Sequence, residues 1–277
     1  MSKYGLEWDA LEWRGHAEEA FQRAFRINPE LSLTHNLYTY MEVEGGRAVN
    51  AIVRLLPLVR ERTSDPELYA GLVHACRYAG LLDASIAAYE RAKRLDPSIR
   101  TSVAHSFFMR GDLDRAIELD IDDPPYLTTA SLLLLGRKDE AIAVCEAARN
   151  RTDLNRHLLL LLDALTAFVD GRRESGVEAV QRLLEFSAFV DPEGLYYWSY
   201  CLAGLGEVDR AIELLTRSTE TGFSCLRALS LPPFQALQGD ARFTAIVARV
   251  TEQQEAAARK FAEAGGPRLL GLVEPTS

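Results

Sequence analysis

The chain has little of what marks a secreted, redox-active or metal-binding protein. Its four cysteines, Cys76, Cys145, Cys201 and Cys225, form no Cys-x-x-Cys pair, the spacing that zinc sites and redox couples use. The first three fall inside predicted helices where a small apolar residue would serve, so the thiols read as packed side chains of a reducing compartment. Acidic residues outnumber basic ones, 40 to 31. The formal net charge is −9, which favours solubility and argues against nucleic acid, a partner that needs concentrated Lys and Arg to displace counterions. Arg54, Arg60 and Arg62 sit among acidic neighbours and read as solvated helix faces. No apolar run is long enough to cross a bilayer: the richest window, around Leu158 to Leu162, is broken by Asp163 and falls short of the ~20 residues required. The opening Met1-Ser2-Lys3-Tyr4-Gly5 lacks the apolar stretch of a signal peptide. Gly-x-Ser-x-Gly, His-Glu-x-x-His, Walker-type and Gly-x-Gly-x-x-Gly motifs are missing too. The expected location is the cytoplasm, with no catalytic residues, metal or cofactor and no membrane or nucleic-acid partner.

What the chain does have is repetition. Gly80-Leu81-Leu82-Asp83-Ala84-Ser85-Ile86, Gly111-Asp112-Leu113-Asp114-Arg115-Ala116-Ile117, Gly136-Arg137-Lys138-Asp139-Glu140-Ala141-Ile142 and Gly206-Glu207-Val208-Asp209-Arg210-Ala211-Ile212 share one pattern. Each reads as a turn glycine, a polar step, then a small residue and a branched apolar one opening a helix. Recurrence at ~20–50 residues marks stacked supersecondary units. Such stacks grow their core by addition, so 277 residues need not divide into two globular domains.

Around Gly80 the flanking helices are legible. Asp65-Pro66 supplies an N-cap and a first-turn proline; Tyr69, Leu72 and Cys76 follow at helical spacing; Ser85, Ile86, Tyr89 and Ala92 form the next apolar stripe, closed by Asp96-Pro97. This pattern resembles the tetratricopeptide repeat. Small residues such as Ala116, Ala141 and Ala211 let paired helices approach, and Tyr89 and Leu215 fill the gap to the next unit. Turn glycines at 46, 80, 111, 136, 171 and 206 predict about six units. A half unit precedes them, carried by Ala17, Phe21, Ala24 and Pro29, with its first helix missing or cut to Gly5–Trp13. Pro57 is an irregularity in the first unit, the Gly111 unit must end by Asp120, and Gly176 takes a close-contact position. The fold expected from the resemblance is all-α, a right-handed superhelical solenoid over residues 1–221. A C-terminal cap over 222–264 and a flexible tail over 265–277 follow.

The cap resembles the segment closing many bacterial tetratricopeptide proteins, through Gly222-Phe223, Pro232-Pro233-Phe234, Leu237, Gly239-Asp240 and Arg242-Phe243, although Leu231-Pro232 replaces the usual Asp-Pro. The tail Arg268-Leu269-Leu270-Gly271-Leu272-Val273 reads as a frayed terminus or as a peptide-like segment lying in a groove. Asn36-Leu37-Tyr38 with Glu42 and Gly46, and Thr101-Ser102-Val103-Ala104-His105, are similar to the repeat region trailing bacterial serine/threonine kinases and adenylate-cyclase-type signalling proteins.

The resemblance implies a concave groove that binds a protein or peptide segment. Carried onto this chain, the groove positions are Asn36, Tyr40, His74, Arg77, Tyr78, Thr101, His105, Phe108, Met109, Tyr126, Tyr196 and Tyr200. Aromatics with an arginine are types enriched at binding hot spots, though aromatics at helical spacing also build cores. His74 and His105 take equivalent positions in consecutive units, either as polar residues with no common partner or as a ligand contact. The apolar stretch Leu161–Phe168 is expected to be covered. The family's chaperone-binding form clamps a C-terminal carboxylate with Lys, Arg and Asn; here Asn36 and Arg77 are present but lysines are few, which argues against that partner. Two main readings follow: an interaction module of a bacterial signalling system, or a self-assembling subunit. The second would form a homo-oligomer or join a longer polypeptide through an uncovered N-terminal face of Trp8, Trp13, Phe21 and Phe25. A third reading is an enzyme using His74 and His105.

Overall fold

The computed structural model describes residues 10–120, 125–149, 156–185 and 191–272, and all regular structure within them is helical. A single helix, α1 (Ala10–Ile27), precedes six pairs: α2 (Ser32–Glu44) with α3 (Ala48–Glu61), α4 (Pro66–Tyr78) with α5 (Leu82–Leu95), and α6 (Val103–Arg110) with α7 (Leu113–Leu119). The later pairs are α8 (Tyr126–Leu134) with α9 (Lys138–Arg149), α10 (Arg156–Asp170) with α11 (Arg173–Glu185), and α12 (Pro192–Gly204) with α13 (Val208–Glu220). Two 3₁₀ turns, Arg227–Ser230 and Pro232–Leu237, lead to α14 (Ala241–Glu263) and the short α15 (Gly266–Leu269). The first helices stack in order from α2 through α4, α6, α8 and α10 to α12, each packed against its own partner. This is an all-helical repeat solenoid.

Local chemistry sets each unit. At the start of α4 the Asp65 carboxylate accepts the Glu67 N–H at 3.2 Å, satisfying one of the unpaired donors of the first turn. At its end Gly80 adopts φ 73°. Gly80 N–H donates to the Arg77 carbonyl at 2.9 Å and Leu81 N–H to the Cys76 carbonyl at 2.8 Å, the double bond of a Schellman turn. The same two bonds close α2 at Gly46, α6 at Gly111, α8 at Gly136, α10 at Gly171 and α12 at Gly206, each glycine left-handed. Within the pairs, Ala116, Ala141 and Ala211 are fully buried. Gly176 leaves no room for a side chain: a β-carbon there would lie 2.5 Å from Leu205 Cδ1. Helix α3 runs through Pro57, which gives up one backbone donor without ending the helix.

Ala17, Phe21 and Ala24 of the expected half unit lie on one continuous helix, α1, which runs through Trp13 and Gly15 without a break; a single glycine inside a helix costs only about 1 kcal/mol and is tolerated. Residues 1–9, with Trp8, and the side chain of Trp13 lie outside the described residues. Part of the segment expected as a flexible tail, Gly266–Leu269, forms α15, which packs on α3 and α14 with Leu269 and Leu270 half-buried. Arg60 Nη2 donates to the Ala264 carbonyl there at 2.8 Å.

The stack also closes on itself. α14 covers α13 and reaches α3. The turn after α13 crosses the turns of the first two pairs: Ser224 N–H donates to the Tyr78 carbonyl at 2.8 Å, and a β-carbon on Gly46 would stand 2.6 Å from the Thr221 carbonyl oxygen.

Candidate functional site

Closure brings the start of α12 to α4 and α6, and two of the expected groove residues, Arg77 and His105, meet one acidic side chain from that helix, Glu193. Arg77 holds Glu193 with two parallel bonds, Nε to Oε1 at 2.7 Å and Nη2 to Oε2 at 2.9 Å. Its Nη1 donates to the carbonyl and the hydroxyl of Ser102, both at 2.7 Å. The Tyr78 hydroxyl donates to Asp191 Oδ1 at 2.7 Å, and the same oxygen accepts the Glu193 N–H at 3.0 Å as the cap of α12. His105 lies between two phenols, with Nδ1 2.8 Å from the Tyr197 hydroxyl and Nε2 3.1 Å from that of Tyr126. Its Nδ1 is 3.7 Å from Glu193 Oε1. His74 stacks on Tyr40 at 4.1 Å between ring centroids and meets Arg77 Nη2 at 2.9 Å. The two histidines share no direct partner in these contacts, yet each touches one half of the Arg77–Glu193 pair.

The pair is buried, Arg77 at 1% and Glu193 at 6% side-chain exposure. Burial, the largest single influence, opposes the guanidinium's charge, but the Glu193 carboxylate together with Tyr78 and Tyr197 more than offsets it and holds Arg77 above its ordinary value. Burial likewise pushes the Tyr78 hydroxyl well up, with Asp191 and Glu193 adding to the shift, so it stays a donor at neutral pH. Tyr197 is raised for the same reasons, burial first and then Glu193.

Other expected groove residues belong to the core. Phe108, Met109, Tyr196 and Tyr200 are fully buried. Tyr196 packs on Phe223 and Phe234 at 5.0 and 5.6 Å and donates to the Ala228 carbonyl at 3.2 Å. Tyr200 meets Phe108 and Phe234 at 6.0 and 6.1 Å, its hydroxyl buried without a hydrogen bond. Asn36 turns to Glu67 at 2.6 Å, and Thr101 is half-buried just ahead of α6. Of the expected groove residues, Arg77, Tyr78 and His105 are therefore engaged by α12 and its cap, while Phe108, Met109, Tyr196 and Tyr200 are buried in the core. Leu161 and Leu165 are buried and Phe168 packs on Tyr200 at 6.3 Å.

The N-terminal face is corrected in part. Phe21 and Phe25 are half-buried against α2, both meeting Tyr38 at 5.4 Å, and Phe25 also meets His35 at 4.8 Å. The apolar side chains left open there are different ones: Ile27, 80% exposed, Leu31, and Leu33 and Leu37, 48% each. Glu193, Asp191, Tyr197 and Ser102 went unforeseen as site residues. Asp191-Pro192-Glu193 reads in the sequence as a helix start, and nothing local ties it to an arginine 116 positions away. Among the described residues no three His, Cys, Asp or Glu side chains are grouped to hold a metal ion, and no helix is long and apolar enough to cross a membrane.

Residues 66–99 match the tetratricopeptide repeat model. No curated protein matches the chain. The matched segment is the α4–α5 pair, so Arg77 and Tyr78 sit in the last turn of a tetratricopeptide repeat's first helix. Tetratricopeptide repeats generally mediate protein–protein interaction. The other pairs share its two-helix build and its glycine turn.

Proposed function

We propose that the protein is a non-catalytic protein-interaction module whose contact surface is the outer face of α1 and α2 rather than the centre of the concave side. One observation carries the reading. Of the large apolar side chains most exposed among the described residues, Ile27, Leu31, Leu33 and Leu37 lie at this single end. Leu33 and Leu37 are one turn apart on α2 and so share a face. Clustered apolar exposure of this kind marks interaction sites more often than scattered single residues do. The partner would be a protein segment offering apolar side chains, in a bacterial signalling or regulatory assembly of the cytoplasm, a setting suggested by the sequence resemblance. The test is a displayed peptide library selected on the wild-type protein, with each binder re-measured on Leu33→Arg and Leu37→Arg. Binding should fall at least tenfold in both variants with melting temperature unchanged; equal binding would place the interface elsewhere.

The same end supports a second reading, self-association. The far end of the stack is covered by α14, so head-to-tail stacking lacks an open acceptor. Two copies would then meet α1–α2 face to face, a closed two-fold arrangement. Light scattering over a dilution series decides: a monomer throughout removes this reading, and a concentration-dependent dimer abolished by Leu37→Arg establishes it.

A further inference from the structure

Helix α12 occupies the concave side in an unusual manner. Its helix-to-helix packing is with α10, α11 and α13, its neighbours in the stack. It reaches α4 through polar side chains, Glu193 to Arg77 and its cap Asp191 to Tyr78, and α6 through Tyr197 to His105 and through Tyr197 and Tyr200 packed on Phe108. A core needs no charges to be stable; replacing a buried ion pair with apolar residues of similar size is often neutral or stabilising, whereas removing one partner is severe. The pair therefore specifies which segment lies against α4 better than it adds stability.

We propose that α12 is a built-in occupant of the concave groove. Arg77 and Tyr78 receive its acidic start, Asp191 and Glu193, as a latch, and release of that latch opens the concave side. Opening would free the face of α4 that carries His74 and Arg77 while leaving α4 packed on α5. This inference is independent of the α1–α2 surface, which the latch residues do not touch.

The geometry of α4 supplies the test. His74 and Cys76 are two positions apart and point to nearly opposite faces of the helix; both are buried. Full-length protein is treated with diethylpyrocarbonate for histidine and a thiol reagent for cysteine, and labelled sites are read by mass spectrometry. If the latch opens, His74 and His105 are modified through an excursion that leaves Cys76 unlabelled. Glu193→Gln then speeds their modification by about a hundredfold or more, the effect of stranding one member of a buried pair, with Cys76 still protected. Simultaneous labelling of the histidines and Cys76 in wild type and variant overturns the proposal, because exposure then requires unfolding of the repeat itself. Should Glu193→Gln fail to fold, wild-type protein in rising urea decides the matter: histidines labelled ahead of Cys76 support the latch, and joint labelling refutes it.

Discussion

Closure of the solenoid rests on a close backbone approach, and a matched pair of glycine substitutions isolates it. Gly46 and Gly206 end the first helices of the first and last pairs with nearly the same backbone, φ 75° and 78°. Alanine at either position costs about 1–2 kcal/mol for the left-handed conformation, reduced by roughly 0.4–1 kcal/mol because alanine restricts the unfolded chain. Gly206→Ala meets nothing within 4 Å, so its net loss should be about 1 kcal/mol. Gly46→Ala carries the same loss and adds a β-carbon 2.6 Å from the Thr221 carbonyl oxygen and 3.3 Å from its carbon. Those atoms are backbone and cannot swing aside, and overpacking of this kind costs a further 1–3 kcal/mol or so. At about 2–4 °C per kcal/mol for a chain near this size, Gly206→Ala should melt about 2–4 °C below wild type and Gly46→Ala about 4–16 °C below. Circular dichroism melts and urea titrations of the three proteins measure it. Equal shifts in the two variants would mean that the turn after α13 does not sit on the Gly46 turn in solution, and the closed arrangement would fall with it.

Two further outcomes follow from buried polar groups. Tyr78→Phe removes the donor to Asp191 and should cost about 1–3 kcal/mol, whereas Tyr200→Phe removes a hydroxyl that is buried without a hydrogen bond and should be neutral or stabilising; urea midpoints of the two variants test the contrast. Burial pushes the thiols of Cys76, Cys201 and Cys225 up to about 12, so native protein at pH 8 should resist thiol reagents at these sites and react only on unfolding. The sign for stability is the same at all three. Below about pH 9, the ordinary thiol value, folded and unfolded chains hold the same protons; from there towards pH 12 only the unfolded chain releases them, and stability should fall with rising pH. Denaturation midpoints between pH 7 and 11 check this, and a flat profile would contradict thiol burial.

The repeat was legible because its determinants are local. Asp65-Pro66 and Asp191-Pro192 start helices through bonds spanning two residues, and each turn glycine acts within one turn of chain, so a sequence scan sees them directly. The surroundings of the partner strip are not legible in the sequence, for the converse reason. Tyr78, Arg77 and His105 have the composition of a binding surface, and the choice between surface and core depends on what returns across them. That depends on superhelical curvature, summed over five helix-to-helix steps from α2 to α12, and no single position encodes it. Buried Arg77 did carry an indirect signal: its charge demands a carboxylate, and Glu193 is an acid in the first turn of a later first helix. The same logic explains the N-terminal face. Phe21 and Phe25 carry the strongest apolar signal there but pack against Tyr38 and His35, while Leu33 and Leu37, ordinary helix residues in the sequence, become informative only because α1 and α4 leave their side of α2 uncovered. Locally determined features can thus be read from the chain, and whether an aromatic groove is open or filled must be tested on the closed molecule, with Glu193 as the residue that decides it.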